Sequence, residues 1–192
     1  MLLIMEFAFL ILIILLIAYA LLAVYDGVYL HLYKFKLYDQ KESRFEHLMQ
    51  AVRALLFVGI LLTTFINIEN NQLFLIGLTL VLLDIIILLV DAYVEKDSRS
   101  FMGGLPRWEY IIHLLLNGFH FASIAVLLTI KINLTDSGLI LNNNLSTIEN
   151  FPYFELVAAN ILPGAIVITL LHFLLYHSRF KQYMNRLKFS CC

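Results

Sequence analysis

Charge is what this sequence has least of. Asp, Glu, Lys and Arg make up 14% of its 192 residues, against about a quarter in soluble domains. Cysteine is confined to Cys191 and Cys192, adjacent at the C-terminal end. That excludes a disulfide framework and any CxxC metal or redox motif. No basic patch interleaved with aromatics is present, so nucleic acid is not an expected partner. Internal repeats, low-complexity tracts and a soluble domain are also missing. So are the compact metal motifs: no HExxH, no ExxH pair of the ferritin-like kind, and no HxxxH or HxxHH.

What fills the chain instead is apolar, with 61% hydrophobic residues and a mean hydropathy of +0.87. This is the composition of a membrane protein, and the bilayer is the first partner it implies. Five windows are long enough for a hydrocarbon core of ~30 Å, at roughly 4–25, 47–66, 73–94, 108–130 and 155–177. The expected fold is therefore all-α: a single domain over 1–192, a polytopic bundle of five transmembrane helices. The first window lacks a basic n-region, carries Glu6 and has no clear cleavage site before Asp26, so it reads as a retained helix and not a signal peptide.

The net charge of −1 says little, because in a membrane the placement of Lys and Arg decides orientation. Lys34, Lys36, Lys41, Arg44, Arg53, Lys96, Arg99, Arg107, Arg179, Lys181, Arg186 and Lys188 fall on one side, and Lys131 alone on the other. The positive-inside rule then puts the N-terminus out and the C-terminus in, with an outer loop over 131–154 and a cytoplasmic tail over 178–192. The outer loop has the Asn, Ser and Gly content of irregular chain. Its Asn133-Leu-Thr and Asn144-Leu-Ser are glycosylation acceptors in a secretory host, and chance matches in the bacterial inner membrane expected here. The terminal cysteines read as a frayed, reduced tail.

The polar residues written into the spans are concentrated in the cytoplasmic half. At 1.5 Å per residue, Asp26, Arg53, Asp91, His113 and His172 share a layer roughly 5 to 12 Å from that end, with Asp84 and His120 at about 17 Å. Asp84, Asp91 and Glu95 form one helical stripe, as do Glu109, His113, Asn117 and His120. Carboxylates and Arg facing lipid cost about 2.5 to 3.5 kcal/mol each, so the stripes should face one another inside the bundle. Asp91 and Glu95 lie at a helix C-terminus, where the dipole disfavours negative charge, and need cationic or metal partners. Glu109 sits in a first turn, where the dipole favours it. His31, His47 and His177 read as interfacial, and Tyr25, Tyr29 and Tyr33 as an aromatic belt.

Four functions compete for this pattern. A metal centre for Zn or Fe would take His113, His172 and Asp91 as ligands, with His120 and Asp84 as a second site or outer shell. Glu109 would then be a general base and Arg53 an anchor for an anionic headgroup, in a catalytic site acting on a lipid or quinone by hydrolysis or oxidation. A single b-haem between His113 and His172 is the cofactor alternative, although the carboxylate excess suits haem poorly. Proton-coupled transport would use Asp84, Asp91, His113 and His120 as a relay and a discontinuous helix at Pro163-Gly164, and five helices would call for a homo-oligomer. The plainest reading makes the same groups buried salt bridges that fasten helices, such as Arg53 to Asp91 and Asp26 to a histidine. Ten or so polar groups converging in one leaflet exceed what packing alone requires, and the metal-dependent enzyme is the leading expectation.

Overall fold

Every apolar window folds as a helix, the form in which a long apolar segment satisfies its own backbone hydrogen bonds. The computed structural model describes residues 2–136, 138–177 and 179–182. Arg186, Lys188, Cys191 and Cys192 lie outside the described residues. Helix α1 spans Leu2–Ala23 and runs on as a π-helical stretch, Val24–Lys34. Helix α2 spans Arg44–Ile60 with a π-helical end at Leu61–Ile66, and α3 spans Asn71–Ser98. Helix α4 spans Arg107–Lys131 and α5 spans Phe151–Tyr176. The chain is mostly helical, and all five helices are long and apolar enough to cross a membrane.

Two boundaries differ from the sequence reading, and both differences matter below. The first helix does not stop near residue 25 but continues to Lys34, since Asp26 and His31 are held inside the bundle instead of meeting water. The outer segment 131–154 is not all irregular. Strands β1 (Ile132–Thr135) and β2 (Gly138–Leu141) pair antiparallel, Ile132 opposite Leu141 and Thr135 opposite Gly138. Their ribbon is tied to the bundle by Lys131, whose buried ammonium donates to the Asn142 carbonyl at 2.7 Å and to Asn143 Oδ1 at 2.8 Å. Asn133, one of the two sequon asparagines, spends its amide on Asn142 Oδ1 at 2.7 Å.

Helix α2 packs against α3 and α5, and α1 against α4 and α5. The α2–α3 contact is close because Gly77 has no side chain: a Cβ there would stand 1.9 Å from Thr64 Oγ1 and 2.7 Å from Thr63 Oγ1. Helix α5 passes through Pro163 without interruption from Phe151 to Tyr176, so the discontinuous helix considered for transport does not form. In the connection between α3 and α4, Gly103 and Gly104 have φ of 82° and 112°, a conformation that favours glycine.

The bundle has two unlike halves. At the end carrying the N-terminus and the ribbon, Phe9, Leu12, Leu16, Phe65, Phe74, Leu127 and Phe154 fill the interior. Phe9 sits edge-on to Phe151 at 5.7 Å and tilted on Phe154 at 5.3 Å. The other half, the basic end, holds the buried polar residues.

Candidate metal centre and polar cavity

A buried staple closes the basic end. Arg99, just past the end of α3, is fully buried; its Nε and Nη2 donate to Glu109 Oε1 at 3.0 and 2.7 Å, and Nη1 reaches Glu46 Oε2 at 2.5 Å. Glu46 and Glu109 stand in the first turns of α2 and α4, where helix dipoles favour carboxylates. One guanidinium thus joins three helices. Beside it Ser43 Oγ donates to the Ser98 carbonyl at 2.8 Å, tying the start of α2 to the end of α3 a second time.

One layer deeper lies a cluster of donors from α1 and α4. His113 Nε2 is 3.0 Å from Asp26 Oδ1, and His31 Nε2 is 3.5 Å from the same oxygen and 3.9 Å from Glu109 Oε1. One ligand atom each from Asp26, His31 and His113 falls within a mutual span of 4.8 Å. Tetrahedral coordination at 2.0–2.1 Å places ligand atoms about 3.3 Å apart, close to the two measured separations. His113 Nδ1, on the far side of its ring, is paired with Glu95 Oε1 of α3. A histidine oriented by a carboxylate through one nitrogen, with its other nitrogen beside further ligands, has the usual outer-shell arrangement of a metal ligand. Among the described residues, His31 Nε2 and Glu109 Oε2 are buried without a hydrogen-bond partner.

The winding of the first helix assembles this cluster. Asp26 and His31 are five residues apart, which on an α-helix points them apart; π-helical i→i+5 bonding stacks them. Helix α5 lies against the same level, where a Cβ on Gly27 would be in ordinary contact, 3.6 Å from His172 Nε2. The same winding stacks the exposed rings of Tyr25, Tyr29 and Tyr33 at 5.3 and 5.9 Å on the outer face.

A third layer lies deeper still. Arg53 Nε donates to Asp84 Oδ1 at 3.1 Å and its Nη2 to Asn117 Oδ1 at 2.8 Å, with Nη1 3.7 Å from Asp91 Oδ2. His120 Nε2 is 3.2 Å from Asp84 Oδ2, and its ring packs on Tyr19 at 5.0 Å. Asp91 and Glu95 are partnered by Arg53 and His113, although α3 runs on to Ser98 and so leaves Asp91 inside the helix and not at its terminus. The polar groups of the two deeper layers line a cavity of about 770 Å³ among the five helices, whose remaining walls are largely apolar.

The expected site residues are therefore sorted into separate groups. His113 joins Asp26 and His31; Asp84, Asp91, His120 and Arg53 form the deepest layer; Glu109 is engaged by Arg99 and is not among the cavity-lining residues. His172 pairs with His47 at a ring separation of 5.1 Å, and His47 Nε2 donates to the His172 carbonyl at 3.1 Å. The two histidines weighed as haem ligands thus have different neighbours. His31 and His47 are corrected from interfacial to buried, whereas His177 is exposed. Outside the spans, burial and the adjacent Asp39 carboxylate hold the Tyr38 hydroxyl above its ordinary pKa. Sequence reasoning missed His31 and Arg99 as interior groups. A five-residue spacing carries no α-helical signal, and an Arg just past a span reads as a headgroup anchor.

No family model, curated protein or solved structure matches the chain. Function is therefore argued from this geometry alone.

Proposed function

We propose that the protein is a membrane-embedded metal-dependent enzyme, with its N-terminus outside and C-terminus inside, acting on a lipidic substrate by hydrolysis or oxidation. The ligand set is Asp26, His31 and His113, with Glu95 orienting His113 and the Arg99–Glu109 pair flanking His31. Of the residues expected from sequence, His113 stays a ligand and Glu109 becomes a neighbour. Asp84, Asp91, His120 and Arg53 become the polar wall facing substrate, and His172 lines the same cavity with its ring stacked on His47. The observation that carries this reading is the convergence of two imidazoles and a carboxylate, from helices far apart in sequence, beside a largely apolar cavity.

Charge accounting supports it. Asp84 and Asp91 meet Arg53, Glu46 and Glu109 meet Arg99, and Asp26 and Glu95 meet only imidazoles, so six carboxylates stand against two guanidiniums. A buried excess of negative charge requires protons or a cation. His113, with a carboxylate at each nitrogen, needs two ring N–H hydrogens or a protonated acid in the absence of metal. A divalent ion at Nε2 takes the place of the second proton. Bound there, it would supply Lewis acidity and an activated water or oxygen ligand. Proton transport is less well supported, because the other half of the bundle is filled by Phe9, Phe65, Phe154 and their neighbours.

Metal analysis after zinc or ferrous iron loading of detergent-purified protein tests the assignment. Wild type should retain the ion stoichiometrically. His31→Ala, His113→Ala and Asp26→Ala should lose it, and Glu95→Gln should bind about 10- to 100-fold more weakly. Retention by all four variants would refute the ligand set. Orientation is tested in intact cells on a Cys191→Ser, Cys192→Ser background: an impermeant maleimide should label Leu139→Cys and not Lys36→Cys, and the reverse pattern would overturn it.

A further inference from the structure

We infer that the cavity holds one extended apolar chain of a long-chain amphiphile, threaded along the seam between α1 and α5, with its polar head at Asp26, His31 and His113. The head position rests on the metal reading above; the chain position rests on the shape of the bundle.

Access decides the source of the ligand. The basic end is closed by the fully buried Arg99 with Glu46 and Glu109, and by the Ser43–Ser98 contact. The opposite end is plugged by Phe9, Phe65 and Phe154. On the flank, however, Leu21 and Val24 of α1 line the cavity while remaining 68% and 52% exposed, and Asn160 and Gly164 of α5 line it and are exposed as well. A molecule reaching the cluster by this route comes out of the hydrocarbon layer, not out of water.

The seam has room for a chain. A Cβ added at Gly164 meets nothing within 4 Å, unlike the crowded Gly77. Ala20 and Ala23 face this space from α1, and Ile161 and Ile168 from α5. From the level of His172, beside Gly27, to Asn160 is twelve positions along α5, about 18 Å at 1.5 Å per residue. At the far end Asn160 donates one amide hydrogen to the Leu156 carbonyl at 2.7 Å, and it remains a polar group at the end of an apolar path. The cavity's size is that of a small-molecule site. It takes one chain, and a second chain of the same lipid would stay in the bilayer. The seam therefore also measures length, and chains that run past Asn160 fit less well.

Calorimetric titration of zinc-loaded protein with octano-, lauro- and stearohydroxamic acid tests this, because the headgroup chelates metal and only the chain varies. Affinity should rise with length and then fall. Gly164→Leu should weaken the best-binding chain tenfold or more and shift the optimum shorter, with zinc content unchanged. Ile161→Ala should shift it longer, and Gly118→Leu, in open space away from the cavity, should leave it alone. Affinity independent of chain length, or an optimum unmoved by both seam variants, would overturn the chain assignment even with zinc bound. If wild type holds no zinc, the metal reading fails by itself. The corresponding fatty acids, followed by native mass spectrometry, then decide the chain: retention sensitive to Gly164→Leu upholds it, and retention insensitive to that change overturns it.

Discussion

Replacing Arg99 with methionine should be among the most damaging single changes in this protein. The guanidinium has no exposed surface, and its two carboxylate partners are buried just as deeply, Glu46 at 1% and Glu109 at 0%. Met keeps roughly the stem volume and removes the charge, leaving two acids from the first turns of α2 and α4 without their counter-ion. Removing one partner of a buried ion pair costs about 3–5 kcal/mol. For a chain of this size that corresponds to a drop of roughly 6 to 20 °C in midpoint. Trp108 is the only tryptophan. It adjoins Glu109 and packs with Phe35 at 6.2 Å and the Lys34 ammonium at 4.3 Å, so its fluorescence reports the end of the bundle that the staple holds. The cost should come from the stranded charges and not from lost packing. Arg99→Met combined with Glu46→Gln and Glu109→Gln should therefore recover most of the midpoint, since replacing a whole buried ionic group is often neutral or better. A triple variant no more stable than Arg99→Met would refute that reasoning, as would an Arg99→Met protein that melts with wild type.

Two further substitutions probe the frame around the site. Gly77→Ala would set a methyl group 1.9 Å from Thr64 Oγ1, and forcing α2 and α3 apart should destabilise by about 1–3 kcal/mol. A thermal melt within error of wild type would contradict the close approach. Lys131→Met strands the acceptors on Asn142 and Asn143 and should cost on the order of 1–3 kcal/mol. It should also speed proteolytic cleavage of the ribbon without altering metal content; an unchanged cleavage rate would mean that Lys131 does not tie the ribbon down.

The parts of this architecture legible in the sequence are those carried by hydropathy and α-helical periodicity. Five spans follow from apolar length, and the inward stripes on α3 and α4 follow from spacings of three, four and seven. Asp91 and Glu95 are expected to find partners and do so in Arg53 and His113, but the helix-terminus reason for it does not hold for Asp91, since α3 runs on to Ser98. What periodicity does not carry was not legible. Hydropathy falls at Asp26 as it would where a helix leaves the membrane, and nothing local marks the change of winding that returns His31 to the interior. Arg99 has the sequence context of any basic residue following a span. Only the convergence of two other helix N-termini makes it a buried staple. His172 lies at the expected depth, yet its ring is taken up by His47, because depth along a helix fixes the layer and not the neighbour.

The layering also bears on why so many ionisable groups occupy one half of a small bundle. A purely structural network would satisfy its carboxylates with guanidinium hydrogen bonds, as the Arg99 staple does for one oxygen each of Glu46 and Glu109. The cluster one layer deeper is built differently. Asp26 meets two imidazoles, and His113 meets two carboxylates, so without a metal its charges balance only through shared protons. Its three residues all line the cavity, whereas Arg99, Glu46 and Glu109 of the staple do not. Packing gains nothing from that placement. The proposed metal centre draws on both features: the shared protons are what a cation would replace, and the flank of the cavity is where the proposed ligand would enter.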